Sequence, residues 1–193
     1  MLLKKKSVMI SMILALLLAA SACYYYFTVY NSVRVINAAS LYQGYSSAQS
    51  LYNNADMVVI GSPVKDFEDR ELHLTRFSTG AIEDIATFTE LDVKKVLKGP
   101  EEYAAGLTVI EPLGMYQTYR GKEKITSDGY TEMKKGSTYL IFLGENTFGQ
   151  YSVINMQAGK FNLDGTDPED LTGSPNKSSI FAELKTNFSQ ELK

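Results

Sequence analysis

"FTELDVKKVLKGP", Phe88 to Pro100, begins as a β-strand and changes phase partway along. Thr87, Thr89, Leu91 and Val93 share one face of the alternation, and Phe88, Glu90, Asp92 and Lys94 share the other. After Lys94-Lys95 the apolar side resumes at Val96, one residue out of step. A one-residue phase shift predicts a β-bulge, which bends and twists the strand that carries it. Lys98-Gly99-Pro100 then ends the element. The stretch therefore predicts a long, bent strand of the kind that turns a corner in a small barrel.

Working outward, Met57 to Ile60 in "ADMVVIGSPV" form a compact apolar run closed by Gly61 and Pro63, which predicts a buried first strand. Before it, "SSAQSLYNNA" predicts a short helix from about Ser46 to Asn53. "KDFEDRELHLTRFSTGAIED" reads as a long loop or a ragged hairpin. "LTVIEPLG" predicts a strand closed by proline, and Tyr139 to Leu143, apolar on both faces, a central strand. "MYQTYRGKEKITSDGYTEMKKG" is polar, with turn signals at Arg120-Gly121 and Asp128-Gly129. Two short strands are expected around Gly159. "TDPEDLTGSPNKSS" reads as a turn-rich, mobile tail. Ile180, Phe181, Leu184, Phe188 and Leu192 recur near helical spacing and predict a terminal amphipathic helix.

The N-terminus is of another kind. Lys4, Lys5 and Lys6 precede a run without charged side chains that lasts until Arg34. As a helix, Val8 to Tyr30 would cover roughly 34 Å, enough for a hydrocarbon core of about 30 Å. Lysines ahead of the span place the N-terminus in the cytoplasm and the body outside, and Tyr24, Tyr25, Tyr26 and Tyr30 suit the outer aromatic belt. The same letters also describe a signal peptide, either simply secretory or cut before Cys23 with lipid added to the sulfur. "AASAC" resembles a lipobox imperfectly, and "YYYFTVY" after the cysteine stays apolar where a lipoprotein would turn polar. Each reading exports the residues beyond about 30. The expected organisation is a cytoplasmic N-terminus (1–7), an anchor (8–30), a stalk with a short helix (31–54), a barrel (55–165), and a tail with a terminal helix (166–193).

The 193 residues carry a formal charge of −3, with 45% hydrophobic and 21% charged side chains. Without the three N-terminal lysines, 16 basic residues face 22 acidic ones. An acidic body argues against nonspecific nucleic-acid binding, which needs a basic face. Cys23 is the only cysteine, so neither an intrachain disulfide nor a cysteine zinc cluster can form.

"ADMVVIG" (Ala55 to Gly61), "FTELDVKKVLKGP", "LTVIEP" (Leu107 to Pro112) and "KKGSTYLIFLGE" (Lys134 to Glu145), in this order, resemble the netrin-like, OB-type barrel of the tissue inhibitors of metalloproteinases. The order is also similar to that in uncharacterised, membrane-tethered proteins of Gram-positive bacteria. The resemblance covers roughly residues 55–165 and rests on core and turn positions, so it implies fold more than function. The implied fold is mainly β: a five- to six-stranded OB-like antiparallel barrel, with a short helix before it, a C-terminal helix and one transmembrane helix. The inhibitors' device, a free N-terminal cysteine that chelates the protease zinc, does not carry over, because the only cysteine is Cys23.

Candidate chemistry is sparse. His73 in "RELHLTR" is the single histidine; Glu68 and Glu71 lie near it, but the segment reads as solvated surface. Asp164, Asp167, Glu169 and Asp170 in "DGTDPED" offer hard oxygens for calcium without the ligand alternation or central glycine of an EF-hand loop. Tyr116, Tyr119 and Arg120 fall on an expected inter-strand loop, where OB-type barrels often bind ligands, and Tyr with Arg suits a recognition surface. There is no G-x-S-x-G elbow. These features lead to the expectation of a membrane-anchored, non-catalytic binding module for an extracellular protein or cell-wall ligand, without cofactor or metal. The alternatives are an accessory subunit of a membrane complex and, further off, a protease-inhibitor-like domain.

Overall fold

The computed structural model describes residues 2–171 and 176–189. In chain order the elements are α1 (Leu2–Tyr25), β1 (Val33–Ala38), α2 (Ala48–Asn54), β2 (Met57–Pro63), β3 (Glu71–Arg76), β4 (Ile82–Lys98) and β5 (Thr108–Glu111). Then follow β6 (Leu113–Thr118), β7 (Gly121–Ser127), β8 (Tyr139–Glu145), β9 (Tyr151–Val153), β10 (Lys160–Asn162) and α3 (Lys177–Asn187). They form two compact units: residues 1–36 with 115–124, and residues 37–114 with 125–193.

In the first unit, Ser7–Tyr30 is helical, long and apolar enough to cross a membrane, and none of it is buried. Its last turn, Tyr26–Tyr30, widens to a π-helix, and the Asn31 N–H donates to the Tyr26 carbonyl at 3.2 Å. β1, β7 and β6 then lie side by side in that order. Sequence reading left Val33–Ala38 without regular structure and "MYQTYRGKEK" as a loop; both belong to this three-stranded sheet. Val33 and Val35 stay exposed in β1, so no one-sided burial marks the strand in its composition.

In the second unit, β8, β2, β4, β5 and β9 pair in succession, and β9 returns to β8, closing a five-stranded barrel. Only the β5–β9 pairing is parallel among the barrel's strand pairs; Val109 faces Tyr151 and Ile110 faces Ser152. β3 extends the sheet beside β4, and β10 beside β8. The charged 65–84 segment is thus a hairpin running into β4, the second of the two forms its sequence allows.

β4 carries the bulge that its phase shift predicts. Ile60 faces Lys95 while Gly61 faces Val93, which leaves Lys94 as the extra residue. A second slip leaves out Leu97, between the pairs Val58–Lys98 and Val59–Val96. The bends divide β4's apolar residues between two cores. Leu91, Val93 and Val96 point into the barrel with Met57, Val59, Val109 and Ile141. Leu97 turns outward to a second core, where α2 and α3 cover the other face of β2 and β8 through Leu51, Ile180 and Leu184. This explains the unbroken apolar runs of both strands: alternate residues, such as Val58 and Val59, serve different cores. At the end of β4, Gly99 adopts φ +98, and a Cβ there would meet the Asp56 carbonyl at 3.0 Å. β-branched or bulky residues rarely take that conformation.

α2 starts as its sequence predicts, with Ser47 accepting a hydrogen bond from the Ser50 N–H at 3.2 Å. α3 buries Ile180, Phe181 and Leu184, and Phe188 packs on the same core; Leu192 lies outside the described residues. The tail expected to be mobile is built in as far as Leu171: Pro168–Leu171 form a 3-10 turn, and Asp167 and Asp170 are buried. Its residues 172–175 lie outside the described residues.

Candidate ligand-binding groove

The outer face of β4 and β5 carries a groove of about 460 Å³. Interior and exterior alternate along these strands: Thr89 and Val109 face each other inside, whereas Phe88 and Thr108 contribute to the groove. The β4–β5 connection supplies one wall. It leaves β4 at Gly99-Pro100, makes a 3-10 turn at Glu101–Tyr103 and returns through Gly106. This brings the half-exposed Tyr103 ring to 6.4 Å from that of Tyr151, at 50°. The β8–β9 turn supplies the opposite wall. Asn146 Oδ1 accepts from the N–H groups of Phe148 at 2.9 Å and Gln150 at 3.0 Å, holding Gln150 and Tyr151 at the rim.

Glu102 and Glu145 are the charged residues of the lining. Burial, then the charge of Glu145 and the neighbouring Tyr103, raise the Tyr151 pKa, so its hydroxyl remains a protonated donor through the neutral range. The Tyr103 ring, a phenol donor, two carboxylates, and the polar groups of Thr108 and Gln150 suit hydrogen-bonded, stacked recognition. In OB-type barrels the second and third strands, with the loop between the fourth and fifth, form the usual binding surface. In this barrel those strands are β4 and β5, and that loop is the 146–150 turn.

The residues singled out in the sequence lie elsewhere. Tyr116, Tyr119 and Arg120 belong to the first unit, at the β6–β7 hairpin. The Tyr116 hydroxyl donates to Glu123, and Arg34 pairs with Glu123 at 2.6 Å. The Tyr116 hydrogen bond and then Arg34 hold the Glu123 carboxyl below its ordinary pKa against the effect of burial. Arg120 lies over the Tyr119 ring at 5.1 Å. Cys23 is exposed on α1. His73 is on β3, 3.7 Å from Asp84 and half exposed, with its ring edge against Phe88.

The acidic turn is occupied by the protein itself. Asp164 accepts from the Thr138 N–H at 2.7 Å and from Asn162 and Thr166, and these bonds hold its carboxyl well below the usual range although burial opposes them. Asp167 accepts from the Tyr139 hydroxyl at 2.8 Å and pairs with Lys134 at 2.8 Å. Burial would raise its pKa, but these two partners bring it below the ordinary value. Asp170 Oδ1 meets Lys160 at 2.6 Å and Lys177 at 2.8 Å, all three side chains being fully buried. Burial first, then the positive charge of Lys160, push the Lys177 pKa down to about 7, against the attraction of Asp170. Among the described residues, no three His, Cys, Asp or Glu side chains are grouped to hold a metal ion.

Sequence reasoning missed the groove because its residues come from three separated segments. The one local signal is Tyr103, an aromatic residue in the otherwise small and acidic "EEYAAG" linker. Comparison with known protein families finds no match for this chain, nor does comparison with curated proteins.

Proposed function

We propose that this chain is a membrane-anchored, non-catalytic binding module whose barrel takes an extracellular protein or cell-wall polymer in the β4–β5 groove. The observation that carries the reading is the groove beside the β4–β5 connection, where the half-exposed Tyr103 ring stands by the buried Tyr151 on the barrel face where OB-type folds bind. The lining offers a stacking ring, hydrogen-bond donors and acceptors, which supports binding. α1 acts as the anchor, with the lysines on the cytoplasmic side and the barrel outside; its length and apolar surface support this role. The netrin-like resemblance belongs to the same proposal, and the order of the barrel strands supports it as far as an OB-like barrel.

The test is a photo-crosslinking amino acid placed at Tyr103 and, as control, at exposed Gln49 on α2, in cells producing the full chain. The expected result is an adduct at Tyr103 that is absent at Gln49 and lost on Thr108→Arg, a change at an exposed lining position. Equal labelling at both sites, or none at Tyr103, sinks the groove.

A further inference from the structure

The turn between β6 and β7 closes on the end of α1. Within the unit of residues 1–36 and 115–124, the Tyr25 hydroxyl donates to the Tyr119 carbonyl at 2.8 Å. Gln117 Nε2 donates to the Tyr30 carbonyl at 3.1 Å, and the Lys122 N–H to the Ser32 carbonyl at 2.7 Å. Gly121, at φ +114, lets the backbones meet: a Cβ there would come within 2.8 Å of the Val29 carbonyl and 2.7 Å of the Ser32 carbonyl. The hairpin therefore does not merely follow the helix in sequence; it is bonded to a residue inside the apolar segment. Tyr25 precedes the segment's end at Tyr30 by roughly 7 Å of helix axis.

The turn itself faces outward. Tyr119 is 72% exposed, and exposed Arg120 lies over its ring. At the same end of α1, Tyr24, Tyr26 and Phe27 are exposed, so the hairpin adds a ring to an existing aromatic girdle. The charge of the hairpin also differs from that of the acidic body. Residues 113–124 hold Arg120, Lys122 and Lys124 against a single carboxylate, Glu123, which already pairs with Arg34 and Tyr116.

We propose that the Tyr119–Arg120 turn is a second membrane contact, with the Tyr119 ring in the headgroup layer beside the end of α1 and the Arg120 guanidinium on a lipid phosphate. The inference rests on α1 spanning the bilayer. Tyrosine favours the interface because its ring is apolar and its hydroxyl polar. A planar guanidinium matches phosphate oxygens in a fork that an ammonium group cannot form. The contact would fix the rotation and tilt of the anchor, a task that a helix apolar all round cannot perform alone.

The full chain, with Cys23→Ser and Tyr119→Cys, is labelled with an environment-sensitive fluorophore and reconstituted in phosphatidylcholine vesicles with and without phosphatidylglycerol. The same label at Phe148→Cys, on the exposed β8–β9 turn, is the reference. The expected result is several-fold weaker iodide quenching at 119 than at 148, with strong quenching by headgroup-labelled lipid. Arg120→Glu should reverse part of the shielding, more so with phosphatidylglycerol. The unmodified chain gives an independent measurement: in vesicles trypsin should cut after Arg76, at the end of β3, several-fold faster than after Arg120. Release of the protein by alkaline carbonate overturns the anchor and the inference together. Retention with equal quenching at both labels, or equal cutting at both arginines, overturns the inference alone.

Discussion

Inside the barrel Arg70 meets Glu111 one to one, whereas beside β10 two lysines share Asp170. Both clusters are buried, yet they are balanced differently. Arg70 Nη1 lies 2.6 Å from Glu111 Oε1, while Nη2 donates to the Met133 carbonyl and Nε to the Lys65 carbonyl. Glu111 also accepts from Thr89, from the Tyr130 hydroxyl at 3.0 Å and from the Met133 N–H at 2.9 Å. Every polar edge of that pair is met, and its charge sums to zero. It ties the segment before β3 to β4, β5 and the connector before β8. The second cluster joins β10, the 3-10 turn and the start of α3 through one carboxylate. Two protonated lysines leave it one positive charge in excess. Lys160 moderates this by lying 5.3 Å from the rings of both Tyr130 and Tyr139, and Lys177 lies 5.3 Å from that of Phe161. The first cluster is balanced one to one; in the second, two amines share one carboxylate, and burial with the charge of Lys160 lowers the Lys177 pKa.

The largest effect that would break this comparison is Asp170→Asn. The change removes the only counter-ion that Lys160 and Lys177 directly share, and unpaired buried charges of this kind cost about 3–5 kcal/mol. Glu111→Gln should cost less, near the lower end of about 3–5 kcal/mol, because Arg70 keeps its two carbonyl partners. Urea midpoints of the two variants give the order. A reversal would mean that the barrel pair, not the shared carboxylate, is the more exposed to loss of its partner.

None of this balance is visible in the composition. Charged letters read alike whether solvated or buried, so "DGTDPED" looks like a surface turn until Lys134, Lys160 and Lys177 are seen around it. One signal was available for the barrel pair: Glu111 is in phase with Val109, which puts a carboxylate on the core face of β5. The bulge and the two-core strands were legible for the opposite reason. Slip in phase and runs apolar on both faces are direct consequences of where side chains must point. β1 was not legible because its valines are exposed, and the groove because it is assembled from distant segments.

The second effect is one of pH. Lys177 titrates near pH 7 in the folded chain and at its ordinary 10.5 when unfolded. Between these values the unfolded chain holds the extra proton, so raising the pH favours the folded state. Stability should therefore climb from about pH 7 toward pH 10, by about 2–4 kcal/mol once relaxation around the amine is allowed for. Above the ordinary tyrosine value of 10.0 the raised pKa of buried Tyr130 works in the other direction, since the unfolded phenol then loses its proton first. Lys177→Met leaves Lys160 and Asp170 as a balanced pair and should flatten the slope while preserving the fold. Urea midpoints across that range check both. A slope unchanged in Lys177→Met would assign the proton to another group.

The smallest effect concerns the residue between the two clusters. Tyr139 packs in the barrel core, and Lys160 lies against its ring. Its hydroxyl donates to Asp167 and accepts the Lys134 N–H at 2.8 Å. Burial, and then the hydrogen bond and charge of Asp167, raise the phenol's pKa strongly, although the Lys134 N–H opposes them, so the group stays neutral throughout the pH range of the preceding test. Tyr139→Phe keeps the ring and removes the hydroxyl, so stability should fall by about 1–2 kcal/mol, the cost of leaving hydrogen-bond partners short. The loss should shrink on acidification, because the intact chain gives up more stability than the variant when Asp167 is protonated. Asp167 is stabilised in its ionised form partly by this hydroxyl, and without it the carboxyl takes up a proton at a higher pH as the solution moves below the carboxylate range. The alkaline slope set by Lys177 should survive, because the phenol does not touch that amine. Parallel shifts in acid and base would show that the two clusters titrate as one network, joined through Tyr139.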